Sequence, residues 1–109
     1  MKIVEEEKQG ILILSVEGRV AGDDSLYFAR TISTITEKPK VIIELSEMSM
    51  MDTSDLSVLV SVLTTVQKKG GRLVLAGLVE GSQNLIAITK LTRIFDTYET
   101  LNEALASFK

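Results

Sequence analysis

The sequence predicts an α/β protein: a single domain over residues 1–109, with a mixed, mostly parallel sheet of four to five strands covered by about four helices. Three observations carry this. Short apolar runs rich in Ile, Val and Leu alternate along the chain with longer stretches whose apolar residues recur at helical spacing. The first two runs are joined by a short polar segment ending in glycine, which makes an antiparallel hairpin, whereas the later runs are separated by helical stretches and so pair in parallel. At 109 residues the chain has room for one core and folds without staples.

The elements follow in order. Ile3 to Glu6 and Ile11 to Glu17 are strand-like and flank the turn Glu7-Lys8-Gln9-Gly10. Ile11-Leu12-Ile13-Leu14 is apolar on both faces, which places that strand inside the sheet and the first at its edge. Gly18 and Gly22 bracket the exit. Asp23-Asp24-Ser25 then supplies caps and first-turn charge for a helix with Leu26, Phe28, Ala29, Ile32 and Ile35 inward, stopped by Pro39. Lys40 to Leu45 reads as a buried strand, Ser54 to Lys68 as a helix and Arg72 to Leu78 as a strand, together one βαβ unit.

In that central helix Leu56, Leu59, Val60, Leu63 and Val66 share one face, and Ser57, Ser61, Thr64, Thr65 and Lys68 the other. Just before it lies Asp52-Thr53-Ser54-Asp55, with short oxygen-bearing side chains that accept from unpaired first-turn amides. Gly70-Gly71 gives a left-handed stop. Gly81-Ser82-Gln83-Asn84 opens a further helix with Leu85, Ile86, Ile88 and Leu91 inward. Ile94 to Tyr98 is a last short strand, and Thr100 caps a final helix with Glu103 three residues on, a capping box.

Composition removes much chemistry. Without Cys there are no disulfides, thiol nucleophiles or thiolate metal sites, and without His the commonest general base and zinc ligand are missing. A net charge of −3 without a Lys/Arg cluster argues against nucleic acid. The apolar runs fall short of the roughly 18–20 residues that span a bilayer, and the Met-Lys start leads straight into a strand, so a cytoplasmic protein without direct membrane insertion is expected. Neither GxGxxG nor GxxxxGK[ST] occurs, and no cofactor or metal is expected. Asp52 and Asp55 could form an acid/base pair, yet helix N-terminal charge accounts for both, and the expectation is a non-enzyme. No feature sets an oligomeric state.

Three segments share a wider pattern: Val41-Ile42-Ile43-Glu44-Leu45, then Met51-Asp52-Thr53-Ser54-Asp55-Leu56-Ser57-Val58-Leu59, then Gly70-Gly71-Arg72-Leu73-Val74-Leu75. Together they resemble the STAS domain, the family of bacterial anti-sigma factor antagonists. The similarity runs from about Val4 to Phe108, with the central segment motif-like and the rest pattern. In that family the strand-to-helix turn reads roughly Met-Asp-Ser-Ser/Thr-Gly-Leu-Gly, and the Ser or Thr after the Asp is the phosphorylation switch. The resemblance therefore implies Thr53 as the modified residue, with Ser54 as the alternative. It implies a protein partner, an anti-sigma factor with serine/threonine kinase activity, docking on Asp52, Thr53, Ser54, Asp55, Val58, Val62 and Arg19.

Two readings stand for most of these. Thr53 as a plain cap contributes about 1 kcal/mol to its helix. As a switch, a phosphate there is held by free amides and the positive end of the dipole, worth roughly 0.3–1 kcal/mol when exposed, and it adds about −1.5 to −2 charges to a docking surface. Val58 and Val62 lie at the margin of the helix's inner face, either an exposed apolar strip for a partner or buried beneath a neighbouring helix. Met48, Met50 and Met51 serve as adaptable contacts or as core filling, the latter preferred for Met51.

Asp55 departs from the family glycine. Two like charges about 6 Å apart repel by about 2–3 kcal/mol at an effective dielectric of about 20, which opposes a phosphate on Thr53, although water screens it. Gly18-Arg19-Val20-Ala21 stands where the family typically has Gly-Glu-Leu-Asp, so two acidic residues are missing. Arg19 either pairs with Asp52, Asp55 or a phosphate, or is a solvated surface arginine. These departures favour an alternative role, a non-phosphorylated STAS subunit, structural or regulatory, of a transporter or signalling assembly. A third reading, a small-molecule or nucleotide sensor, requires a ligand-sized pocket.

Overall fold

Two seven-residue strands, β1 (Lys2–Lys8) and β2 (Ile11–Glu17), open the fold as a hairpin. In the computed structural model the described residues are 2–17, 30, 39–48, 53–78 and 95–108, those at 2 and 53–55 as backbone only. The pairing runs from Lys2 opposite Glu17 to Lys8 opposite Ile11, so β1 extends two residues beyond the expected strand and the turn shrinks to Gln9 and Gly10. Both take left-handed φ, 56° and 76°. That is the geometry of a two-residue turn whose twist matches the strands it joins, which is why the ladder continues to its last pair.

The remaining strands are β3 (Lys40–Glu44), β4 (Arg72–Ala76) and β5 (Asp96–Tyr98). The sheet order is β1-β2-β3-β4-β5, antiparallel between β1 and β2 and parallel thereafter. The expected mixed, mostly parallel sheet is observed with five strands. β4 ends at Ala76, not Leu78, because Gly77 turns left-handed at φ 71° and donates its N–H to Tyr98 O at 3.0 Å. Two helices are described: α1 (Thr53–Lys68) and α2 (Leu101–Ala106). Of the expected helix after Asp23, only Arg30, helical and exposed, is among the described residues; the one expected after Gly81 lies outside them.

The sheet separates two apolar layers by strand alternation. On one face Leu14, Val16, Val41, Ile43, Leu73 and Leu75 pack against α1. On the other, Ile11, Ile13, Ile42, Val74 and Ala76 pack against Ala104 and Leu105 of α2. α1 buries Leu56, Leu59, Val62, Leu63 and Val66, each at 4% exposure or less. Full burial of such a side chain is worth about 1.5–3 kcal/mol, so packing, more than propensity, holds this helix.

The buried face of α1 is rotated from the expected one, and this overturns the proposed exposed strip. At about 100° per residue the observed face centres near Leu59 and Val66. Val62 then stands about 60° from the centre, while Val58 and Val60 stand about 100° to either side. Accordingly Val62 is 1% exposed, and Val58 and Val60 are half-buried against the core. Val62 is a core residue out of a partner's reach.

Gly70, at φ 73°, ends α1 with two further bonds: its own N–H donates to Gln67 O at 2.9 Å and that of Gly71 to Val66 O at 3.0 Å. This is the Schellman arrangement. At α2, the Thr100 hydroxyl accepts from Glu103 N–H at 3.2 Å, the expected cap.

Candidate functional site

β2 and β3 are parallel neighbours, with Ser15 opposite Glu44, so they leave the sheet at the same end. β3 leads to the start of α1, which begins at Thr53. Thr53, Ser54 and Asp55 are thus its first three residues, the part of a helix whose amides lack intrahelical acceptors. The chain puts hydroxyl residues where an anion is best accommodated. Asp52, Met50, Met51 and Arg19 lie outside the described residues.

The approach to this end is fixed by contacts that span the sheet. Leu45 N–H continues the β3–β4 ladder by donating to Ala76 O at 2.9 Å, and Met48 N–H closes a turn onto Leu45 O at 3.1 Å. Met48 is fully buried, which settles it as core filling. The Glu44 carboxylate accepts from Ser46 N–H at 2.9 Å, at the point where a Cβ on residue 77 would fall. With its positive φ, position 77 is therefore restricted to glycine on two counts. Glu44 and Gly77 were not read as partners in the sequence, since their proximity depends on the parallel register of β3 and β4.

Along α1 the exposed side carries Ser57, Ser61, Thr64 and Lys68. Thr64 and Thr65 donate their hydroxyls back to Val60 O and Ser61 O at 3.0 and 3.1 Å. Between Ser57 and Gln67 the exposed side of α1 is thus polar and uncharged, with Val58 and Val60 as half-buried apolar margins.

The opposite end of the sheet holds a knot around Arg72 that sequence reasoning missed. Its Nη1 donates to Ser107 O at 2.8 Å and Ser107 Oγ at 3.3 Å; Nη2 donates to Tyr98 Oη at 3.2 Å and Asp96 Oδ2 at 3.3 Å. The guanidinium lies over the Phe108 ring, 4.9 Å from its centroid. These contacts tie β4 to β5 and to the end of α2. Among the described residues no group of three or more Asp and Glu is placed to hold a metal ion, and no helix is long and apolar enough to cross a membrane.

With this geometry in place, comparison with known proteins defines the class. The STAS domain model matches residues 2–104, and the chain belongs to that family. It is 35% identical over 66 residues to a candidate anti-sigma factor antagonist of Thermotoga neapolitana; the alignment covers 61% of this chain and 58% of that relative, less than two thirds of its length. Among solved structures, a candidate anti-sigma factor antagonist from Thermotoga maritima superposes with a TM-score of 0.82 at 21% identity, covering 96% of this chain and 92% of the other. The STAS domain of a SulP transporter from Vibrio cholerae superposes with a TM-score of 0.79 at 17% identity, covering 94% and 83%. At these identities the structures share the fold.

Proposed function

We propose that the protein is an anti-sigma factor antagonist that acts by binding and not by catalysis. It docks an anti-sigma factor that is also a serine/threonine kinase on the exit end of the sheet and the adjoining face of α1. Phosphorylation at Thr53, with Ser54 as the alternative, ends the binding. The observation that carries this reading is that α1, the helix that follows the central strand β3 in the chain, begins at Thr53. A phosphate there gains the free amides and the dipole of a sixteen-residue helix, while its charge repels a partner adapted to the unmodified surface. Asp52, Ser54, Asp55, Val58 and Arg19 complete the proposed docking set, without the buried Val62.

Affinity purification of the tagged protein from its native host tests this. We expect an ATP-binding anti-sigma factor to be enriched with the wild type and with Thr53→Ala, and lost at least tenfold with Thr53→Glu. Recovery of the same partner with all three proteins contradicts the switch. Asp55 favours a second reading, a constitutive STAS module of a transporter or signalling assembly; enrichment of an integral transporter regardless of Thr53 would establish it.

A further inference from the structure

The outer edge of β1 carries a second surface. β1 ends the sheet and, among the described residues, pairs with β2 alone, in an unbroken register from Lys2 opposite Glu17 to Lys8 opposite Ile11. A seven-residue edge strand without proline or bulge is a template for another strand; β5, at the other edge, has three residues. Among the described residues Val4 is the large apolar side chain left exposed, at 42%. Its neighbour Ile3 packs against the α1 layer, so alternation puts Val4 on the opposite face of the sheet. A single exposed valine is ordinary, but this one stands at the midpoint of the register that the edge itself favours.

The hairpin turn fixes which main-chain groups β1 directs outward. Across a two-residue turn with left-handed φ at both positions, the flanking pair, Lys8 and Ile11, exchanges both hydrogen bonds. Pairs then alternate, so Glu6, Val4 and Lys2 also bond to β2, whereas the N–H and C=O groups of Ile3, Glu5 and Glu7 point away from it. An antiparallel pair of two β1 strands must bond through those outward groups, so odd-numbered residues face odd and even face even. Centred on Glu5, such a pair sets Glu5 against Glu5 and Lys2 against Lys8; centred on Glu6, it sets Glu6 against Glu6 and Glu5 against Glu7. Like charges directly opposite destabilise both. Centring on Ile3 or Glu7 runs off the strand after one residue on either side. Centred on Val4, Lys2 of each copy faces Glu6 of the other, Ile3 faces Glu5, and Val4 meets Val4 in a non-hydrogen-bonded pair, where side chains come closest.

We propose that β1 pairs with β1 of a second copy in this register, joining two five-stranded sheets into one across a two-fold axis at Val4. Each Ile3–Glu5 pair exchanges both main-chain hydrogen bonds, and the two Val4 side chains cover one another. Charge complementarity selects this occupant: one strand supplies both the lysine and the glutamate, and the two-fold axis brings each to its opposite, as a self-complementary interface requires. The contact of Glu6 with Lys8, 3.9 Å apart with both side chains more than half exposed, is too weak to keep Glu6 from the lysine of the other copy. The paired segment is short against the roughly 1,200 Å² that stable complexes bury, so the dimer dissociates on dilution. β2 stands between β1 and β3, the strand that leads to α1, so pairing at β1 is separate from the start of α1.

The test is analytical ultracentrifugation of the full chain from micromolar to millimolar concentration. We expect a reversible monomer–dimer equilibrium, with dimerisation about tenfold weaker in Glu6→Lys, which sets two lysines opposite one another, and restored in Lys2→Glu/Glu6→Lys. The chain has no cysteine, so single-cysteine variants report the register. Under mild oxidation Val4→Cys should form an intermolecular disulfide, whereas Glu5→Cys, whose two copies stand more than about 7 Å apart in this register, should not. An unchanged melting temperature of the dilute monomer shows that each variant is folded. A monomer at every concentration, a dimer unaffected by Glu6→Lys or not restored by the double variant, or cross-linking through Glu5→Cys as readily as through Val4→Cys would each overturn the proposal.

Discussion

Replacing Leu59 by Ala is expected to lower stability by about 3 kcal/mol, within the roughly 2–5 kcal/mol seen for deletion of a buried leucine. Leu59 is fully buried at the centre of the α1 face, between Val62, Leu63 and Val66 of its own helix and the Ile43 and Leu75 layer of the sheet. Sheet residues anchored in the parallel ladder cannot move in to fill the gap without breaking register. For a domain of this size the melting midpoint should fall by about 10–20 °C. Denaturant titration should show a lower midpoint with unchanged slope. Ser61→Ala, on the exposed side of the same helix, should stay within about 0.5 kcal/mol of the wild type. Equal effects from the two substitutions would contradict the assignment of the buried face.

The second large effect concerns Asp55 and has opposite signs for stability and function. On the proposed switch, Asp55→Gly removes a negative charge from the first turn of α1, two residues from Thr53. The helix loses a favourable first-turn carboxylate, about 0.3–1 kcal/mol, and exchanges aspartate for the still poorer helix former glycine, about 0.3 kcal/mol. The variant should therefore be about 1 kcal/mol less stable. Yet the repulsion opposing a phosphate, about 2–3 kcal/mol before solvent screening, disappears. Phosphorylation by the cognate kinase should accelerate at least tenfold, read in a phosphate-incorporation time course. A variant that is both less stable and more slowly phosphorylated would show that Asp55 does not hinder the switch.

What could be read from sequence divides by range. The hairpin, the double-glycine stop of α1 and the Thr100 cap rest on neighbours within a few residues, and the βαβ unit on the alternation of strand-like and helical runs; each was legible. The Arg72 knot was not, because its contacts reach 24 to 35 residues along the chain and arise only when β4, β5 and α2 are assembled. The restriction at Gly77 is likewise long-range, set by Glu44 on the adjoining strand. Val62 and Val60 exchanged roles for a subtler reason. A stripe of five apolar residues fits two centres a fraction of a turn apart, and the sheet chooses between them. At the candidate site, the start of α1 at Thr53 follows from local chemistry, whereas the shared exit end of β2 and β3 needs the parallel register.

The measurement closest to the central claim is phosphosite mapping, with intact-mass analysis, of the protein purified from its native host, alongside Thr53→Ala and Ser54→Ala. The proposed switch predicts a single phosphate on Thr53, absent from Thr53→Ala and retained in Ser54→Ala. An unmodified protein throughout growth and stress would contradict it and establish this STAS domain as a constitutive binding module.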